Sequence, residues 1–379
     1  MKGLPGSPRV LHVLGSMAVG NPIAERCARV MDGFGGRLRH SIVSRDGEWS
    51  ALEAITKGVP VERVTAFPRI GGAPLPGRLQ KLAQAMSDYH LVLTYGRDGI
   101  GVALAHTLFS QVYALPPLIH HEDGSDETAR ERRGWRSTWY RRIGLGRAAG
   151  LVVPTELMEA EALVRWQQPF GRVKVIRDGV ALEPRKGCVP AIPRLLKRPG
   201  EHWIGCAAAY DDRENLPAFL SSLGLVDSSW HLVLIGDGPQ RPAIEVLVRE
   251  RTLDNRVHFV SRLADPAILA AHCEVIGVAG GSEPTPLGAV RAMAASKPVV
   301  GFETGELAGA LGEANASFIV ASGDVAGLGR ALQNLTDDKL LRRRVGEANR
   351  NRAVGERDEK AMIGAYRRLY ASAMGRESI

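Results

Sequence analysis

At 379 residues the chain is too long for one ordinary compact core, since a domain takes roughly 100–200 residues, and two domains are expected. Hydrophobic residues make up 45% and charged residues 24%, while Gly (43) and Pro (22) stay below low-complexity levels, which excludes disorder and collagen-like repeats. The 49 Lys and Arg exceed the 41 Asp and Glu, giving a formal charge of +8 and a pI of about 9.5 that favour an anionic partner: nucleic acid, an anionic membrane face or a phosphorylated ligand.

The opening residues lack a signal-peptide pattern, and no segment reaches about 18 uninterrupted apolar residues, so neither secretion by that route nor a membrane span is expected. From Arg9, the run Val10-Leu11-His12-Val13-Leu14 followed by Gly15 suits a buried parallel strand feeding a glycine-containing turn, with Gly20 and Asn21 beyond it. Ile23, Cys27, Val30 and Met31 then recur at helical spacing. Strand-like runs at Ser41–Val43, Leu91–Thr94, Pro117–His120 and Leu151–Val153 alternate with helical stretches, which predicts a doubly wound α/β domain.

Between Arg130 and Arg147, Arg132, Arg133, Arg136, Arg141 and Arg142 interleave with Trp135, Trp139 and Tyr140. Trp135, Trp139 and Ile143, at i, i+4 and i+8, make an aromatic stripe on a basic helix, the composition of a helix lying in an anionic lipid interface. The alternative is a solvated basic face with the Trp side chains in the core. Nucleic acid is not expected, because no recognition module accompanies the charge.

Residues 183–200, rich in Pro and basic residues, read as a linker. A second strand-helix series follows, with strands at His202–Cys206, His231–Ile235, Val257–Val260, Val275–Val278 and Pro298–Val300. Ligands of such sheets bind beyond the carboxyl ends of the strands, so a cleft between two such units is the expected site. The basic run 339–360 reads as an exposed helical face, and Met362, Tyr366, Leu369 and Tyr370 form a stripe that must pack on something. Cys27, Cys188, Cys206 and Cys273 lack metal or redox spacing and read as reduced, buried small hydrophobes.

Several segments carry a family likeness. They are Ser282-Glu283-Pro284-Thr285-Pro286-Leu287-Gly288 running into Ala292–Val300, Leu234–Pro239, Val173–Ile176 before Asp178-Gly179-Val180, the early glycine loop with Glu25-Arg26, and Gly323-Asp324. Together they resemble the retaining GT-B glycosyltransferases of family 4, over nearly the whole chain. The resemblance implies an α/β GT-B fold, two Rossmann-like domains facing across a cleft. Residues 1–182 would form the acceptor domain, 183–200 the linker and 201–360 the nucleotide-sugar domain, with the helix 361–379 packing back on the first.

It further implies a metal-independent, retaining transfer of a hexose from a nucleotide-diphosphate sugar of UDP or GDP type. The acceptor would be a saccharide or lipid-linked saccharide of polysaccharide or cell-envelope synthesis, and no cofactor besides the donor is implied. The expected location is cytoplasmic, peripheral on an anionic inner-leaflet membrane surface. By resemblance, Glu283 holds the donor sugar, and His121 contacts it and leaves its proton on the ligand side. The amides of Leu287 and Gly288, at a helix start led by Pro286, would face the diphosphate, where free N–H groups and the macrodipole favour anions. Gly20, Asn21, Arg213, Asn215, Ser261, Arg262 and Arg291 complete the expected donor-binding set.

The sequence departs from the family at Arg291, where a second glutamate would accept from ribose, and at Ala209 and Glu214, where an Arg and a Lys would meet diphosphate. A guanidinium only donates, yet it can grip two phosphate oxygens at once. Either Arg213 and Arg291 rebuild the diphosphate clamp or the chain is a noncatalytic GT-B partner. An epimerase would need further acids and bases, and neither a glycosidase carboxylate pair, a Ser/His/Asp order nor a P-loop is evident.

Overall fold

The computed structural model describes residues 6–122, 134–182, 191–208, 210–211, 215–260, 267–280, 287–305 and 307–379. Strands β1 (Arg9–Leu14), β2 (Arg39–Ser44), β3 (Val61–Arg63), β4 (Leu91–Tyr95), β5 (Leu118–His121), β6 (Gly150–Val153) and β7 (Val173–Val175) form a 7-stranded sheet ordered β3-β2-β1-β4-β5-β6-β7. Strands β8 (His202–Ala207), β9 (Trp230–Ile235), β10 (Val257–Val260), β11 (Val275–Val278), β12 (Val299–Phe302) and β13 (Ile319–Val320) form a 6-stranded sheet ordered β10-β9-β8-β11-β12-β13. Every pairing within these sheets is parallel.

The interior strands are those with near-continuous apolar runs, because helices cover both faces of a parallel sheet. β1, β4 and β11 are buried along almost their whole length. Of the four edge strands, β3, β7 and β13 are only two or three residues long and partly exposed, so they carry no such run, while β10 has four residues with its two ends buried.

The chain divides into two compact units, residues 1–178 with 360–379, and residues 179–359. In unit 1, Met362, Ile363, Tyr366 and Tyr370 of the helix Glu359–Ala373 are buried in a cluster with Leu14, Cys27, Phe34 and Tyr95. A second cluster covers the opposite sheet face and includes Leu11, Leu104 and Trp166. Unit 2 is likewise two-faced, with Phe219, Leu234 and Phe302 in one cluster and Trp203, Ile276 and Met293 in the other.

The expected linker differs from what is found. Among its described residues, Ile192 is buried in the unit-2 core, Leu195 packs against it, and Lys197 Nζ donates to Glu274 Oε1 at 2.6 Å. The apolar Ile192 and Leu195 make residues 191–200 part of unit 2. Cys27, Cys206 and Cys273 are buried thiols outside any disulfide, and burial pushes the Cys27 and Cys273 thiols up to about 12. Cys188 lies outside the described residues. No helix among the described residues is long and apolar enough to cross a membrane.

Candidate functional site

In a doubly wound sheet the ligand crevice opens where the strand order reverses, outside the carboxyl ends. In unit 1 that point lies between β1 and β4. The turn after β1 takes Gly20 into the left-handed region at φ +79° and leads into the helix Pro22–Phe34. Asn21 caps this helix, its Oδ1 accepting from Ala24 N at 3.1 Å, and Pro22 suits the first helical position. Across the switch point, Asp98 in the first turn after β4 pairs with Arg45 at 2.5 Å and stands against Gly15, where a side chain would collide with it. The Asn21 carboxamide oxygen therefore serves the helix itself.

His121 ends β5 and is 2% exposed. Its Nδ1 lies 3.3 Å from Thr94 O, and because a carbonyl only accepts, Nδ1 carries the hydrogen. Nε2 is then the acceptor for the Tyr370 hydroxyl at 2.8 Å. Tyr95 stacks on the ring at 4.5 Å between centroids, and Tyr366 packs at 5.7 Å. Burial, with His120 beside it, pushes this imidazole down to about 3, so the ring is neutral. The expectation of an outward proton is corrected: both nitrogens are committed inside unit 1, to β4 and to the C-terminal helix.

The polar chain continues through the sheet. His12 Nδ1 meets Tyr95 Oη at 2.9 Å, and His12 Nε2 meets His40 Nδ1 at 2.9 Å. Burial pushes His40 down to about 4 and His12 well below its ordinary value, the latter helped by His40 and His121 nearby. On the next strand position, His120 Nδ1 lies 2.9 Å from Thr94 Oγ1, and the buried Glu122 Oε2 accepts from Arg141 Nε at 2.7 Å. Burial alone would raise the Glu122 carboxyl, yet Arg141 and His120 beside it hold it well below the usual carboxylate range.

Arg141 is 1% exposed, and its guanidinium lies 5.1 Å from the Trp166 ring centroid. This corrects its expected place among solvent-facing cations. Arg130, Arg132 and Arg133 lie outside the described residues, whereas Arg136 and Arg142 are exposed. Trp135 and Trp139 are exposed as well, which overturns the alternative that buried them.

Two fragments of the family resemblance also meet. Arg26 Nε donates to Asp178 Oδ1 at 2.9 Å, its Nη2 pairs with Asp178 Oδ2, and Arg29 Nη2 lies 3.3 Å from Oδ1. These positions are 152 residues apart, and nothing in their local spacing announces the pair.

In unit 2 the switch point lies between β8 and β11. Asn215, after β8, bridges it: its N–H donates to Ala279 O at 2.9 Å, and its carbonyl accepts from Phe219 N at 3.0 Å. The Asn215 side chain makes no cap bond to the helix Leu216–Ser222, and Nδ2 is the atom nearest to where a side chain on Gly323 would begin. Asp324 caps the next helix, accepting from Gly327 N at 2.8 Å. Next to β8, Gly236 at the end of β9 has φ +144°, and a side chain there would strike Ala208 O. Gly236 is therefore fixed as glycine by the Ala208 carbonyl, and Gly323 by its φ of +85°.

After β11 comes the helix Leu287–Ala294. Ala289, Val290, Ala292 and Met293 are buried, leaving Leu287, Gly288 and Arg291 on the other, partly exposed face. At about 100° per residue, Arg291 falls between Leu287 and Gly288 one turn further along. A side chain on Gly288 would meet nothing within 4 Å. Arg213, Ser261, Arg262 and Glu283, with Ala209 and Glu214, lie outside the described residues. The structure thus brings Asn215 to the switch point and puts Leu287, Gly288 and Arg291 on one helix face after the adjoining strand.

Residues 192–352 match the sequence model of the family described as Glycosyl transferases group 1. The chain is 27% identical over 208 residues to a 2-deoxystreptamine glucosyltransferase of Streptomyces kanamyceticus, covering 52% of this chain and 54% of that protein. It is also 27% identical over 142 residues to the lipopolysaccharide core biosynthesis glycosyltransferase LpsE of Rhizobium meliloti, covering 38% and 42%. The chain spans about half the length of the curated relatives it matches. Among solved structures, Anabaena Alr3699/HepE in complex with UDP superposes with a TM-score of 0.77 at 17% identity, over 96% of this chain and 100% of that one. WaaG, a glycosyltransferase involved in lipopolysaccharide biosynthesis, gives 0.70 at 15% identity, over 97% and 100%. The chain therefore has the GT-B glycosyltransferase fold, two parallel-sheet α/β units, and its second unit carries the match to glycosyl transferases group 1.

Proposed function

We propose that the protein transfers a hexose, with retention and without a metal, from a nucleotide-diphosphate sugar to a saccharide or lipid-linked saccharide acceptor of cell-envelope or polysaccharide synthesis. The observation that carries this reading is the family match over residues 192–352, which falls on the unit whose strand ends converge on Asn215. That HepE is described in complex with UDP and with UDP-glucose supports a donor of this class. The cytoplasmic face of a membrane is the place where a lipid-linked acceptor would be met.

In this reading the acceptor hydroxyl oxygen forms a bond to the sugar's anomeric carbon as the bond to the diphosphate oxygen breaks. The hydroxyl proton passes to the departing diphosphate, so no dedicated protein base is needed. The protein's part is to stabilise the charge that develops on the diphosphate and to hold the acceptor on the face of the sugar that the diphosphate leaves, which gives retention. Leu287 and Gly288 face the diphosphate at a helix start, and Arg291, with Arg213, supplies cations in place of the family's basic pair. Asn215, with Ser261 and Arg262, lines the nucleotide side, and Glu283 holds the sugar hydroxyls.

A thermal-shift screen of UDP, GDP and ADP with their sugars, run with and without EDTA, tests the proposal. A donor at about 100 times its dissociation constant adds about 2.7 kcal/mol of stability, so one nucleotide series raises the melting temperature and EDTA leaves the rise unchanged. Silence across the whole panel contradicts the reading and favours a GT-B partner without turnover. Loss of the rise with EDTA contradicts metal independence alone.

A further inference from the structure

The helix Trp135–Gly144 is mounted the wrong way round for a soluble protein. Its packed side holds Arg141, Ser137 and Gly144, and its outer side holds Trp135 (71% exposed), Trp139 (51%), Ile143 (47%) and Tyr140 (39%). At about 100° per residue, Trp135, Trp139 and Ile143 occupy an arc of about 80°, with Arg142 about 20° beyond one side and Arg136 about 20° beyond the other. The two cations lie against the two indoles. Arg136 Cζ stands 5.3 Å from the Trp135 ring centroid and Arg142 Cζ 5.2 Å from that of Trp139. The helix contains no Asp or Glu.

A single exposed apolar residue needs no explanation, but an apolar stripe flanked by cations on both sides does. Ordinary core packing cannot supply one, because the packed side is held by polar groups instead. Arg141 is anchored to Glu122 through Nε at 2.7 Å and Nη2 at 2.6 Å, and also bonds Ser137 Oγ. Past the last turn, Arg172 donates to Leu145 O at 2.8 Å and Gly146 O at 3.0 Å. The helix is therefore fixed in the fold with its stripe outward, so no ordering cost is added when the stripe is covered.

We propose that the helix Trp135–Gly144 docks unit 1 on an anionic lipid bilayer, with Trp135, Trp139 and Ile143 entering the boundary between headgroups and acyl chains while Arg136 and Arg142 pair with lipid anions. Indoles favour that boundary because one end is apolar and the N–H stays wet, and arginine stems can lie along apolar surface while their heads reach phosphate. The net charge of +8 complements an anionic leaflet. Arg141 takes no part, since its charge is already spent on Glu122. This inference concerns unit 1 alone and holds whether or not unit 2 binds a nucleotide sugar.

Co-sedimentation of the full chain with phosphatidylcholine vesicles, with and without phosphatidylglycerol, tests it, with tryptophan emission read on the same samples. Binding is expected to the anionic vesicles only, to weaken with salt and to come with a blue shift. Arg136→Gln with Arg142→Gln should weaken binding roughly thirtyfold, at about 1 kcal/mol per arginine near the surface. Trp135→Ser with Trp139→Ser should abolish binding and the blue shift at unchanged melting temperature.

The control removes the same charge from unit 2, at the exposed Arg343 and Arg344 of the helix Lys339–Glu356. Arg343→Gln with Arg344→Gln should leave binding intact, and an equal loss there would show diffuse charge attraction and overturn the proposal. So would equal binding to neutral vesicles, or no vesicle binding together with a dimer in sedimentation velocity that the tryptophan variant dissolves.

Discussion

The two units spend their polar groups differently. In unit 1, His12, His40, Tyr95, His121 and Tyr370 form one buried chain across the sheet, and Glu122 with Arg141 and Asp178 with Arg26 form buried ion pairs. In unit 2, the histidines His202, His231 and His258 sit partly exposed in β8, β9 and β10, and the strand ends converge on backbone and glycine around Asn215, Gly236 and Gly323. A buried polar side chain calls for a partner, and in unit 1 the partners shown are other side chains and the Thr94 carbonyl of the same unit. A titratable residue at a strand end is weak evidence for a site unless its bonding capacity is unspent.

This contrast predicts where substitutions cost stability. The largest effect belongs to Arg141→Met, which leaves the Glu122 carboxylate buried without its guanidinium and should cost about 3–5 kcal/mol in urea unfolding. Adding Glu122→Gln should recover most of that loss, because no buried charge is left. An unchanged melting temperature in the single variant would break the account of unit 1.

Next comes Tyr370→Phe, which strips His121 Nε2 of its donor and should cost about 1–3 kcal/mol. The same network sets a pH dependence. His40 and His121 are held down to about 4 and about 3, against about 6.5 in an unfolded chain. Below pH 6.5 the unfolded chain therefore binds more protons than the fold. Stability is complete above that pH and falls as pH drops toward 4, by about 1.4 kcal/mol per pH unit per histidine. His121→Gln should flatten the slope by one histidine's share. A slope identical to wild type would mean that His121 is not buried neutral.

The interior of both sheets is legible in the sequence because a buried parallel strand must be an apolar run: β11 appears with the boundaries that the run at Val275–Val278 predicts, and the edge strand β10 likewise matches Val257–Val260. β3, β7 and β13 were not legible, since an edge strand of two or three residues has one neighbour and little to bury. The stripe Met362, Tyr366, Leu369 and Tyr370 announced a packed helix, but not that Tyr370 would reach His121, 249 positions earlier. The donor-facing role that the resemblance implies for His121 misses its partners for the same reason: the Thr94 carbonyl and the Tyr370 hydroxyl that occupy its ring come from segments distant in sequence, and strand-end position alone carries no record of them. Arg141 looked like its neighbours because helical spacing does not say which of several arginines faces inward. Of the expected donor set, the helix face of Leu287, Gly288 and Arg291 follows from the apolar pattern of Ala289, Val290, Ala292 and Met293.

The central claim is that unit 2 binds a nucleotide diphosphate with Arg291 as one of its cations. Calorimetric titration of wild type, Arg291→Ala and Arg291→Glu with UDP and GDP tests it directly. The account predicts saturable binding of one nucleotide to wild type, weakened by about 1.5–3 kcal/mol in Arg291→Ala, the worth of one charged hydrogen bond, and weakened further in Arg291→Glu, which sets a carboxylate against the phosphates. Tighter binding in Arg291→Glu would show that position 291 faces the ribose hydroxyls instead, and equal affinity in all three proteins would contradict any contact between Arg291 and the donor.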